Sequence, residues 1–94
     1  MAGTITDNGA RSRYELAADG GIAVAYYERR GDVIVFTHTV VPERLQGRGL
    51  ASRLIEGALA DVRRRDLKVQ PDCPFVAHYI ERHPEERDLL ASHA

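Results

Sequence analysis

Val33-Ile34-Val35-Phe36-Thr37-His38-Thr39-Val40, then Val41-Pro42-Glu43-Arg44-Leu45-Gln46-Gly47-Arg48-Gly49, then Leu50-Ala51-Ser52-Arg53-Leu54-Ile55: the order of these three segments decides the fold. The first is rich in β-branched and aromatic residues, which fit a pleated strand better than a helix. From the third onward, Leu50, Leu54, Ile55, Ala58, Leu59 and Val62 recur at helical spacing, with Arg53, Glu56, Ala60, Arg63 and Arg64 mostly on other faces. This predicts a helix from about Gly49 to Arg65. Gly57 inside it costs about 1 kcal/mol relative to Ala, so close packing against the sheet is expected there. The middle segment is a glycine loop between strand and helix, where unpaired N–H groups and the helix dipole favour an anion. Two glycines let the backbone approach a ligand closely. A dinucleotide fingerprint requires a third glycine where Ser52 stands, and a P-loop requires Gly-Lys-Ser/Thr, so both familiar nucleotide loops are excluded.

Upstream, Arg13 to Ala17 and Ile22 to Tyr27 flank Asp19-Gly20-Gly21 and read as an antiparallel hairpin. A second turn at Arg29-Arg30-Gly31-Asp32 leads into the central strand. Downstream, Leu67-Lys68-Val69-Gln70 reads as a short strand, and a strand-helix-strand crossover places the two strands parallel. Pro71 and Pro74 bracket the next boundary, with Cys73 as N-cap and Pro74 at the first helical position. Phe75, Val76, Tyr79 and Ile80 form the apolar stripe of this second helix. His83-Pro84 interrupts it before a last turn or two over Glu85 to Leu90. Residues 1–10 and the Ala-Ser-His-Ala end are expected to fray. The fold class is α+β (α/β): a mixed antiparallel and parallel sheet of about four to five strands, a main helix after the phosphate loop, and short C-terminal helices.

Ninety-four residues supply material for one modest core, so a single domain over residues 1–94, with its core over about 5–90, is expected. The longest uninterrupted apolar stretch, Ile22 to Tyr27, is too short to span a membrane, and no secretion signal is visible. A lone cysteine cannot staple the fold, so a reducing cytoplasm is the default expectation. The net charge of -1 argues against general affinity for nucleic acid or acidic membranes. Residues 44–65 nevertheless hold six Arg against two acidic residues, a local excess that suits an anion site or a solvated helix face.

The pattern Arg44-Leu45-Gln46-Gly47-Arg48-Gly49 opening a helix resembles the pyrophosphate loop of the GNAT acetyltransferase superfamily. His38-Thr39-x-Val, Gly-Arg-Gly-Leu, and Pro71-x-Cys73-Pro74-Phe75 followed by Tyr79-Ile80 and His83-Pro84-Glu85 are similar to its small stand-alone branch. The resemblance covers roughly residues 5–90. It implies an acetyl-CoA-dependent N-acetyltransferase, with coenzyme A as acyl carrier and an amine of a protein or small molecule as acceptor. Residues Gln46, Gly47, Arg48, Gly49 and Leu50 would hold the pyrophosphate, with Thr39, Val40 and Val41 alongside pantetheine. The chain lacks room for the two early helices and terminal strand pair of larger relatives, elements that usually build the acceptor pocket. A coenzyme A binding module without catalysis is the alternative, and a nucleic-acid module using Arg63-Arg64-Arg65 is a further one.

Three residues are candidates for the chemistry. Cys73 at a helix N-terminus suits a thiolate that takes the acetyl group, a role proposed for a cysteine in this branch; the other reading is a small buried hydrophobe. His38 is a candidate base, or a hydrogen-bonded core histidine, since strict alternation aligns it with Ile34, Phe36 and Val40. Tyr79 is a candidate acid, or packing within its apolar stripe. Cys73, His78 and His83 are spaced five apart, which turns a helix by about 500° per step and scatters them, so no metal site is expected.

Overall fold

The computed structural model describes residues 5–91. Asp19 and Gly20 both have positive φ, +46° and +80°, so Asp-Gly fills the two central positions of a tight turn whose twist matches the strands it joins. It links β2 (Arg13–Ala18) to β3 (Gly21–Arg30), paired from Ala18↔Gly21 to Arg13↔Tyr26. The third strand continues to Arg30, beyond the expected Tyr27. The next turn therefore contracts to Gly31 and Asp32 before β4 (Val33–Val40).

An additional strand, β1 (Ile5–Asn8), precedes the hairpin and pairs antiparallel with β2. The expectation that residues 1–10 fray is thus overturned from Ile5 onward; residues 1–4 lie outside the described residues. Three contacts that the sequence does not reveal hold this strand. Tyr27 donates its hydroxyl to Asp7 at 2.6 Å, and Arg65 Nη1 reaches Asp7 at 2.8 Å. Ile5 also lies against Gly57, whose added Cβ would stand 2.3 Å from Ile5 Cγ1. The close packing expected at Gly57 is therefore present, against the edge strand. At the other end, Ala91 N–H donates to Val69 C=O at 2.9 Å, so the described chain is held up to this residue, and 92–94 lie outside it.

Helix α1 (Leu50–Arg64) buries Leu50, Leu54, Ile55, Ala58, Leu59 and Val62, the stripe expected from periodicity. The chain then forms β5 (Lys68–Pro71), parallel to β4, which gives one mixed sheet in the order β1-β2-β3-β4-β5. Helix α2 (Pro74–Arg82) starts with Pro74 in its first turn and is followed by a 3₁₀ segment, Pro84–Leu89. Both helices share one core with the face of the sheet that carries Tyr14, Leu16, Ala23, Ala25, Tyr27, Ile34, Phe36 and Val69. Each fully buried aliphatic side chain there contributes on the order of 1.5–3 kcal/mol. Phe75 departs from its assigned stripe: Val76, Tyr79 and Ile80 are buried, whereas Phe75 is 38% exposed.

A bulge in β4 positions the site. Tyr26 pairs with His38 while its neighbour Tyr27 pairs with Phe36, leaving Thr37 without a partner. One extra residue reverses the alternation of everything that follows it. Ile34 and Phe36 face the core before the bulge, Thr39 takes that side after it, and His38 and Val40 turn to the opposite side, where both are exposed. His38 is therefore no core histidine. Its ring lies beside Tyr26, with centroids 5.0 Å apart.

Candidate functional site

The last pair between β4 and β5 is Phe36↔Pro71. Beyond it β4 continues through Thr37–Val40 with β3 on one side only, and the chain after Pro71 turns away into α2. The result is a wedge along the outer edge of β4, closed at its apex where Cys73 N–H donates to Phe36 C=O at 2.8 Å. A strand edge of this kind presents backbone donors and acceptors to an extended, amide-bearing ligand. Cys73 is the N-cap of α2, yet its side chain makes no capping bond. Its sulfur is 3.4 Å from Thr39 Oγ1 instead, and the residue is only 3% exposed.

At the end of the wedge, Pro42 leads into a 3₁₀ turn, Glu43–Leu45, anchored by the buried Leu45. Gln46 Nε2 donates to Val41 C=O at 3.1 Å, which ties the loop back on itself. Gly47 and Gly49 have φ of +81° and +72°, and a Cβ on either would meet nothing within 4 Å. The glycines are thus required by backbone conformation, and the space above them is open to a ligand. Gly49 caps α1 without a side-chain bond, and no acidic residue occupies the first turn. The first N–H groups of the helix are consequently available to an anion. Gln46, Gly47, Gly49, Leu50, Ser52 and Phe75 are among the residues lining a depression of about 190 Å³ here.

Ser52 and Phe75 also border a larger open groove of about 650 Å³, which runs along α2 past Tyr79 to His83. Tyr79 stacks on His83 with centroids 4.0 Å apart. Burial, reinforced by the negative charges of Glu56, Glu86 and Glu85, raises the Tyr79 hydroxyl above its ordinary range and keeps it a neutral proton donor.

The fold thus brings Thr39 and Cys73 together in the wedge, and Val41, Gln46, Gly47, Gly49 and Leu50 together in the depression. It separates the other candidates: His38 and Val40 lie across the sheet, and Tyr79 stands in the groove along α2. Arg48 bonds to the Asp19 carboxylate, a contact with the β2–β3 turn that sequence reading missed. The groove itself had one legible signal, an aromatic pair at Phe75 and Tyr79 four residues apart on a helix. Arg63 is engaged by Glu86 and Asp88, Arg64 by Asp61, and Arg65 by Asp7 and Asp61, so this arginine run is not a free basic patch. Among the described residues no group of three His, Cys, Asp or Glu side chains is arranged to hold a metal ion. No helix among them is long and apolar enough to cross a membrane.

Comparison with known proteins bears on the same elements. The profile of the GCN5-related N-acetyl-transferase family matches residues 13–89. Protein NATD1 of Gallus gallus and of Mus musculus are each 40% identical to the chain over 63 residues, 66% of this chain and 57% of theirs. The matched region thus spans little more than half the length of those relatives. The solution structure of a GCN5-like candidate N-acetyltransferase from Staphylococcus aureus superposes with a TM-score of 0.72. It covers 96% of this chain and 89% of that one at 22% identity, a likeness of fold. With the hairpin, the glycine loop, the long helix and α2 all inside the matched region, the chain belongs to the GCN5-related N-acetyltransferase family.

Proposed function

We propose that the protein is an N-acetyltransferase that takes the acetyl group of acetyl-CoA and passes it to an amine. The observation that carries this reading is the continuity of the wedge beside Thr39–Val41 with a glycine loop whose two positive-φ residues leave open space above them. An extended pantetheine arm suits the wedge as an added strand suits a sheet edge, and a pyrophosphate suits the free N–H groups at the start of α1. Gln46, Gly47, Gly49 and Leu50 would form the cradle, and Arg48 would add positive charge. The loop suits the pyrophosphate part of the donor substrate, with open space above its two glycines and no acidic residue in the first turn of α1.

Two routes lead from the thioester to the amide. In the first, the Cys73 sulfur attacks the acetyl carbon, its proton leaves through Thr39 Oγ1 or water, and the C–S bond to coenzyme A breaks as that thiolate picks up a proton. The amine then attacks acetyl-Cys73 and regenerates the thiol. In the second, the amine attacks the thioester directly, its surplus proton passing to water while the coenzyme A thiolate departs and is protonated from solvent; His38, across the sheet, is not placed to serve as that base. The contact of 3.4 Å between Thr39 Oγ1 and Cys73 Sγ favours the first.

The test is thermal shift with acetyl-CoA, NAD and ATP at equal concentration, followed by mass spectrometry of the protein with acetyl-CoA and a panel of amines. Coenzyme A should give the largest shift, and at least one amine should be acetylated. A larger shift with NAD or ATP overturns the donor assignment. Binding of coenzyme A with no turnover for any amine favours the non-catalytic binding module.

A further inference from the structure

The Asp-Gly turn between β2 and β3 is built against the glycine loop. Arg48 donates to the Asp19 carboxylate, and Arg44 Nη1 donates to the Asp19 carbonyl at 2.9 Å. A Cβ on Gly21 would stand 2.8 Å from Leu45 Cδ1, so the turn and the loop are in direct contact. Gln46, Gly47, Gly49 and Leu50 line the depression at the start of α1, but Arg48 does not. It lies between the two glycines in sequence, and its guanidinium is directed to Asp19.

We infer that Asp19 is an internal anion that holds Arg48 in reserve and yields it to the diphosphate of the donor substrate, making Asp19 a positioning residue for that site. The inference rests on the coenzyme A reading of the loop. Both members of the pair are exposed, and an exposed pair is worth only about 0.2–1 kcal/mol. A diphosphate makes stronger charge-assisted bonds, so it wins the exchange, but the pair must be broken first. Apparent affinity is thereby lowered by roughly 1.4- to fivefold, the fold-change equivalent of that pair energy. A ligand carrying less negative charge gains less from Arg48 and displaces Asp19 less readily, which gives the contact a selective effect in favour of polyanionic esters.

Asp19→Asn is the informative variant. Asn tolerates positive φ as Asp does, and the Arg44 bond goes to the backbone carbonyl, so the turn is retained while the carboxylate is removed. Calorimetric titration of the full chain with coenzyme A at about 50 mM salt should show D19N binding roughly 1.4- to fivefold tighter than wild type. The gain should vanish in an Arg48→Ala background and fade as salt is raised. Equal or weaker binding by D19N overturns the inference, as does an undiminished gain in the Arg48→Ala background, which would reflect a general field. A ligand-free readout separates this failure from that of the underlying reading: the Arg48 Nε–H resonance should shift in D19N without any ligand. If that shift is seen and wild type binds no coenzyme A, the donor assignment falls and takes the exchange with it. If wild type binds and the resonance does not move, the exchange alone is wrong.

Discussion

Thr39 Oγ1 stands 3.4 Å from Cys73 Sγ although the two residues are 34 positions apart in sequence. The bulge at Thr37 turns Thr39 to the helical side of the sheet, and Cys73 N–H bonded to Phe36 C=O brings the sulfur to meet it. The pair sets a thiol beside a hydroxyl within hydrogen-bond reach, the arrangement that the proposed acetyl-cysteine route requires.

Cys73→Ala should still bind coenzyme A but lose both a hydroxylamine-labile acetyl adduct and most amine acetylation, read by intact mass and product formation. Thr39→Val, which keeps the volume and removes the hydroxyl, should slow adduct formation by about tenfold or more. Near-normal transfer by Cys73→Ala would leave direct attack by the amine as the mechanism.

Gly47→Val and Gly49→Val test the cradle. A Cβ at either position meets nothing within 4 Å, so the damage expected comes from forcing a β-branched residue to positive φ, a strain of about 1–3 kcal/mol each. Coenzyme A affinity should fall by more than about tenfold in each, over about 1.4 kcal/mol, while circular dichroism reports a retained fold. Wild-type affinity in both variants would remove the loop from the site.

Gly57→Ala should destabilise the protein despite the better helix propensity of Ala. The propensity gain is about 1 kcal/mol, but the new Cβ would stand 2.3 Å from Ile5 Cγ1, and forcing extra volume into packed structure typically costs about 1–3 kcal/mol. Urea denaturation should show a lower midpoint, restored when Ile5→Ala is combined with it. A midpoint raised by Gly57→Ala alone would mean that β1 does not dock on α1 in solution.

Asp61 sets a pH dependence. Burial acts to raise its carboxyl, but hydrogen bonds from Tyr14, Arg65 and Arg64 overcome this and hold it below the ordinary carboxylate range. A lowered folded-state value means stabilisation that is present above the unfolded-state pKa and lost as pH falls through the folded one. Asp61→Asn should therefore be less stable than wild type near pH 7, and the gap should close from about pH 4 downward. Urea midpoints across this range provide the check; a constant gap would assign the loss to packing.

Local chemistry alone determined much of this molecule. The Asp-Gly turn, the β-branched run of β4, the helical stripe from Leu50 to Val62, and the parallel β5 were all legible, because positive φ, side-chain branching and 3.6-residue periodicity are properties of neighbouring residues. The glycine loop was legible for the same reason. What the sequence could not decide was set by pairing between distant segments. The bulge at Thr37 depends on how β3 and β4 register, so alternation alone put His38 on the core side and the folded sheet puts it on the other. The edge strand from Ile5 exists because Gly57, Tyr27 and Arg65 provide partners that lie far along the chain. Phe75 left its stripe because the buried side of α2 is chosen by the packing surface beneath it. The meeting of Thr39 with Cys73, and of Asp19 with Arg48, likewise belongs to tertiary structure, since each joins segments that only the assembled sheet and the segments packed on it bring within hydrogen-bond reach.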